Sequence, residues 1–239
     1  MTTTARSGLL SPALASIART SSLMGTVSVG FDVGGYHMSH VDRRSRSSRR
    51  NSSTQILRLD LAVADVTIAA AMARDLGATP LLEEEGLVVL RSPGGQAFCL
   101  VSWCGESRRP AVVAGPGGAI SRLDQLSFDL AADVYDREAR FWQELTGWEV
   151  RDGSRPEFRV VKPPATMPAR ILLQRLDEPR PASTHPDLSC SDREAVRAWH
   201  ESLGAAVVAR FPHWITMRDP VGGTYCLTAR DPHTGGLAD

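Results

Sequence analysis

The sequence predicts an α+β fold assembled from tandem βαβββ modules, the first of them degenerate. Three observations carry that reading. The stretch 57–103 is written a second time near the C-terminus, at a constant offset of 127 residues (Asp187 against Asp60, Cys226 against Cys99). Leu76-Gly77-Ala78 meets Leu203-Gly204-Ala205, Asp65 meets Asp192, Arg91 meets Arg218, Pro93 meets Pro220, and Phe98 meets Tyr225. Register held without a gap through a helix, a turn and several strands marks a duplicated structural unit. Within each copy, and again over 123–176, hydrophobic periods of two and of 3.6 alternate in the order β-α-β-β-β.

Residues 1–55 are the faintest module. Ser11-Pro12 followed by ALASIARTSSLMG predicts a short helix with Pro in its first turn and Gly25 as its stop. Thr26–Phe31 and Tyr36–Val41 alternate as strands. Ser22–Val29 (SLMGTVSV) resembles Glu144–Val150 (ELTGWEV), with Gly25 under Gly147 at an offset of 122, so this segment reads as a worn copy of 123–176. On that alignment its first strand is weakly patterned, and the arginine run RRSRSSRRN (43–51) replaces its last. That run is read as a solvated loop, since no aromatic residues interleave it as single-stranded nucleic acid would require.

The second module, 56–104, is sharper. Leu57, Leu59, Leu61 and Val63 alternate with Arg58, Asp60 and Ala62 as a strand. Asp65 caps the next helix, whose Ile68, Met72 and Leu76 form one stripe, and Gly77 ends it. Strands follow near 80–82, at Leu87–Leu90 and at Ala97–Trp103, the last two joined by the turn Ser92-Pro93-Gly94-Gly95. Residues 105–120, dense in Pro and Gly, are a linker. The C-terminal half, 121–239, holds two modules. One runs through strand Leu123–Leu130, a helix from Asp133 closed by Gly147, and strands at 148–151, 157–161 and 171–176. A joint at Pro179–Ser183 leads into the second copy of the repeat.

Twenty-seven basic residues balance 27 acidic ones, which leaves no global attraction to nucleic acid or anionic lipid. No apolar run approaches the roughly 18–20 residues of a membrane span. The four cysteines form no CxxC pair, and Cys99 and Cys226 sit inside core strands, so reduced thiols are expected. Lys162 is the only lysine; the excess of arginine and alanine reads as a GC-rich bacterial genome, and the absence of a secretory apolar core makes the cytoplasm the default.

Two paired βαβββ modules, with the motifs FWQELTGWEV (141–150), ILLQRLDEP (171–179), HPDLSCSD (185–192), the repeated LGA, SPGGQAFCL and RDPVGGTYCL, resemble the vicinal oxygen chelate (VOC) superfamily. That superfamily includes glyoxalase I, extradiol dioxygenases and bleomycin-resistance proteins, and the wording is most similar to bacterial glyoxalase-like domain proteins. The resemblance covers residues 56–235 well and 11–55 poorly. It implies curved mixed sheets in which two modules close around a ligand cup.

In metal-using members the cup is lined by His and Glu from the first and last strands of each module. Carried over to this sequence, the resemblance implies Gln125 and Gln174 from one module, and His185 and Cys226 from the other, as pocket residues. Cys226, and Cys99 in the earlier copy, stand where the usual glutamate would be, and Arg58 at the first-strand position repels a metal. One imidazole, two amides and a thiol make a poor set for a hard cation. Asp60 and Asp187 read as features of the fold, and the glycine-rich segments read as turns between strands. Trp142 and Trp148 read as core, and Trp214 with His213 as a pocket wall. The expected function is therefore small-molecule binding in the cup without a standard metal centre. The alternatives are a metal-dependent lyase or dioxygenase with an atypical ligand set, and an interaction protein using the first module. Exposed sheet edges allow a homodimer.

Overall fold

The computed structural model describes residues 24–33, 36–37, 57–103, 110–164 and 169–237. The N-terminal half contains β1 (Met24–Val33), β2 (Tyr36–His37), β3 (Leu57–Val63), α1 (Val66–Asp75), β4 (Thr79–Glu84), β5 (Leu87–Arg91) and β6 (Ala97–Ser102). After the two-residue strand β7 (Val113–Ala114) come β8 (Ile120–Ala131), α2 (Ala132–Thr146), β9 (Glu149–Asp152), β10 (Phe158–Lys162) and β11 (Arg170–Leu176). The last module is β12 (Ser183–Cys190), α3 (Arg193–Ser202), β13 (Ala206–Arg210), β14 (Trp214–Arg218) and β15 (Thr224–Thr228). The expected βαβββ order is present in all three well-defined modules. The helix expected before Gly25 and the arginine run lie outside the described residues.

Two curved mixed sheets result. One runs β2-β1-β3-β6-β5-β4; the other runs β13-β14-β15-β12-β8-β11-β10-β9, with β7 paired to β8. In each module the first strand lies parallel to the last (β3 with β6, β8 with β11, β12 with β15), the helix making the crossover. The two C-terminal modules meet through β8 and β12, which run antiparallel.

The topology corrects one expectation. β1 pairs antiparallel with β3, the place that β8 takes beside β12. Met24–Val33 is thus a first strand, not the post-helix strand given by the offset of 122, because pairing with β3 needs a first-strand partner. The segment read as a linker also contributes β7 to the sheet.

Local chemistry sets the elements. Asp65 accepts from the Ile68 amide at 2.9 Å, and Asp192 from those of Glu194 and Ala195 at 3.0 Å, so both copies start their helix on the same cap. Gly147 ends α2 in the left-handed region at φ 69°, where a side chain would be strained. The α1 stripe differs from expectation: Ala69, Ala70 and Ala73 are buried, while Ile68 is 51% exposed. Small residues let the helix lie close on its sheet, and Met72 and Leu76 pack only at the margin.

Strand alternation divides the C-terminal sheet into two faces. Leu126, Phe128 and Leu130 of β8 join the core under α2, while Gln125, Ser127 and Asp129 point to the other face. The core is shared by both halves. Trp142 of α2, fully buried, meets Phe98 of β6 at 5.1 Å between centroids, Phe141 at 5.2 Å and Phe128 at 5.3 Å. Glu138, also fully buried, accepts from Trp142 Nε1 (2.7 Å), Ser92 Oγ (2.6 Å) and the Gly94 amide (2.6 Å). Thr184 of β12 donates to Gln96 Oε1 at 2.5 Å. The two sheets are thereby joined by apolar packing and by satisfied buried polar groups. Among the described residues no helix is long and apolar enough to cross a membrane.

Candidate functional site

The polar face of the C-terminal sheet holds a cavity of about 730 Å³. Its floor is a row laid down by strand register. Arg170 of β11 lies beside Gln125 of β8, Gln125 beside Asp187 of β12, Asp187 beside Cys226 of β15, and Cys226 beside Thr216 of β14. Asp187 Oδ2 accepts from Gln125 Nε2 at 2.5 Å and from Ser127 Oγ at 2.7 Å. Gln125 Oε1 in turn accepts from Arg170 Nε at 2.7 Å. Asp187 Oδ1 is buried with no donor in line; the nearest charge is His185 Nε2, 3.4 Å away.

His185 stands between two carboxylates, its Nδ1 3.5 Å from Asp129 Oδ2. Burial disfavours the imidazolium, but hydrogen bonding toward Asp129 and Cys226 and the charge of Asp187 outweigh it and hold His185 well above its ordinary value. Burial pushes Asp187 up, against the pull of His185, Gln125 and Ser127. Asp129 is held below the usual carboxylate range: burial opposes its ionisation, and His185, Arg180 and Ser183 overcome that. Burial also pushes the Cys226 thiol up, although His185 draws it down and Thr216 Oγ1 lies 3.7 Å from the sulfur.

The cavity is lined by Gln125, Gln174, His185, Trp214 and Cys226, with His213 beside them. They do not form one cluster. Gln174 pairs with Asp129 and Phe158, four residues along β11 from the partner of Gln125, or about 13 Å. The β11 residue beside Gln125 is Arg170. The larger correction concerns Asp187, read from sequence as a framework residue because Asp60 repeats it. It is 4% exposed and sits at the centre of the row, so the site does contain a carboxylate. Arg170, Ser127 and Arg230 were also missed. The available signal was the polar alternation Gln125-Ser127-Asp129 and His185-Asp187-Ser189, which sets polar groups on one face of otherwise apolar strands.

The sequence profile of the Glyoxalase-like domain family matches residues 20–101 and 125–228, most of the chain. The chain belongs to the glyoxalase-like domain family. It has the VOC fold. A variant of homoprotocatechuate 2,3-dioxygenase from B. fuscum superposes with a TM-score of 0.51 at 15% identity, covering 75% of this chain and 56% of the other. 4-Hydroxymandelate synthase from Streptomyces coelicolor gives 0.47 at 14% identity, over 75% and 72%. Glyoxalase I from Zea mays gives 0.32 at 17%, over 71% and 65%. This glyoxalase-like chain thus spans little more than half the length of the dioxygenase. Among curated proteins, none matches the sequence.

The superfamily implies a divalent metal, and the residues of this glyoxalase-like cup can be tested against one. His185, Asp187 and Cys226 place one nitrogen, one oxygen and one sulfur within 4.8 Å of one another. Mixed N, O and S donors suit a borderline ion such as zinc and not a hard one such as magnesium. The orphaned Asp187 Oδ1 is the atom that such an ion would satisfy. The usual glutamate position is the thiol of Cys226, and Gln125 is committed to Asp187 and Arg170. The cup therefore fits a three-residue borderline-ion site and not the His/Glu set of the metal-using members.

Proposed function

We propose that this glyoxalase-like domain binds a small organic molecule in the cup of its C-terminal module pair, with Gln125, His185, Asp187 and Cys226 at the floor and Trp214 on the wall. The observation that carries the reading is the cavity itself. About 730 Å³ falls within the range of small-ligand sites, and its lining combines an apolar patch with many polar and charged side chains. Val160, Leu172 and Phe158 supply apolar surface, and Trp214 stacks on Phe211 at 4.5 Å. The floor is preorganised: Arg170, Gln125, Ser127 and Asp187 hold one another. A thermal-shift screen of small aromatic acids, amides and thiol adducts tests it, since a ligand selective for the folded chain raises the melting temperature. The expected result is a shift that is lost in Trp214→Ala; a screen without any such shift would refute the reading.

A second reading is favoured by the orphaned Asp187 oxygen: His185, Asp187 and Cys226 hold a zinc-like ion. Such an ion would polarise a bound carbonyl or lower the pKa of water. The chain's own part would be to supply the three donors, with Gln125 and Ser127 fixing the carboxylate rotamer. Metal analysis after purification without chelator decides between the readings. Near-stoichiometric metal, lost in His185→Ala, supports the ion; less than about a tenth of an equivalent removes it.

A further inference from the structure

We propose that the cup selects an organic carboxylate, whose charged end meets the Arg170 guanidinium and whose planar apolar body lies against Phe158 and Trp214. The inference deepens the small-molecule reading and rests on it.

Charge pairing around the cavity carries the first half. Its three lining aspartates are all engaged. Asp124 takes Arg230 Nε at 2.5 Å, Asp152 lies 3.7 Å from Arg159, and Asp187 is held by Gln125, Ser127 and His185. The cations are not all matched. Arg151 pairs with Glu149 and Arg155 with Glu157, whereas neither Arg170 nor Lys162 makes a direct ion pair among the described residues; Asp124 and Asp187 act on Arg170, and Glu149 on Lys162, only through longer-range charge. Arg170 makes one hydrogen bond there, from Nε to Gln125, and among the described residues its terminal nitrogens have no acceptor. A partly buried guanidinium with no carboxylate in direct contact is incompletely compensated, and a ligand that supplies one improves that balance. Gln125, itself pinned by Asp187, fixes the fork at its base, so little side-chain freedom is lost on binding. Two parallel N–H groups match the spacing of a planar carboxylate. Burial and the neighbouring charge of Arg230 bring Arg170 down to about 10, against the pull of Asp124 and Asp187, and it stays protonated at neutral pH.

The wall carries the second half. Phe158 meets Trp214 edge to face at 5.9 Å, and Arg155 lies over the Trp214 ring at 5.7 Å. A flat apolar body completes that surface.

Calorimetric titration with 2-naphthoate, 2-naphthamide and naphthyl phosphate, in buffer containing a chelator, tests the assignment. The acid is expected to bind at least about tenfold more tightly than the amide and than the phosphate. Arg170→Gln removes the preference for the acid, Arg170→Lys keeps part of it, and Trp214→Ala weakens acid and amide alike. Should Arg170→Gln fail to fold, the acid-to-amide ratio in wild type still decides. Equal binding of acid and amide, both sensitive to Trp214→Ala, overturns the carboxylate and leaves the cup. Tighter binding of the phosphate overturns the carboxylate in favour of another anion. Binding of none of the three overturns both.

Discussion

The two copies of the repeated unit, 57–102 and 184–229, share a backbone plan yet differ in what their polar face carries. Both keep the aspartate beside the cysteine: Asp60 registers with Cys99 and Asp187 with Cys226. Around that pair the neighbours change. The first-strand partner is Ser28 in one half and Gln125 in the other; Arg58 stands where His185 stands; Val89 registers with Cys99 where Thr216 registers with Cys226. The turn residue Gly94 corresponds to Val221, which is 63% exposed. Gly94 instead meets α2, where an added Cβ would lie 2.5 Å from Glu138 Oε2. What recurs is thus the strand frame with its Asp–Cys pair; the groups around that pair differ, and at the second copy Gln125 and His185 line the cavity with it.

That contrast can be broken at several points. The largest effect is expected for Trp142→Ala, which removes the ring joining Phe98 of one half to Phe128 of the other. A loss of about 3–5 kcal/mol in denaturant unfolding is predicted, with both halves melting together. Exchanging turn residues is sharper. Gly94→Val is predicted to cost about 2–3 kcal/mol, from overpacking and from loss of the bond to Glu138, whereas Val221→Gly stays within about 0.5 kcal/mol.

Glu138 adds a pH dependence. Burial raises its folded carboxyl above 4.5, although Ser92, Trp142 and Gly94 oppose this. Its contribution is therefore complete below that ordinary value and is lost as the pH climbs through the folded one. Urea unfolding of wild type and Glu138→Gln should show wild type gaining on the variant as the pH falls from about 7 to about 5; a constant gap would remove the effect. The smallest difference separates the thiols. Cys99→Ser buries a hydroxyl at a fully enclosed position and is predicted to cost about 1–3 kcal/mol in the same assay. Cys226→Ser, with Thr216 beside it and the cavity above, should cost under about 1 kcal/mol.

The module order was legible in the sequence because its markers are local. Asp65 and Asp192 cap, Gly147 stops a helix, and the Pro-Gly turns recur in register. The centre of the site was not, because it depends on pairing between distant strands. Asp187 meets Gln125 across 62 positions, and Arg170 meets it across 45, contacts fixed by sheet register alone. The repeat itself misled at Asp187, since a residue shared with Asp60 reads as framework. The stripe of α1 was misplaced for a related reason: Ala69, Ala70 and Ala73 carry too little apolar weight to outrank Ile68, yet their small size lets the helix dock.

The proposed ligand face is one polar sheet face, that of the C-terminal module pair. Hydrogen exchange with and without 2-naphthoate addresses it most directly. Protection is predicted in β10, β11 and β14, which carry Phe158, Arg170 and Trp214, and in the adjoining β8, β12 and β15, with β3 and β6 unchanged. Protection confined to 57–102, or equal in the two copies, would contradict the assignment.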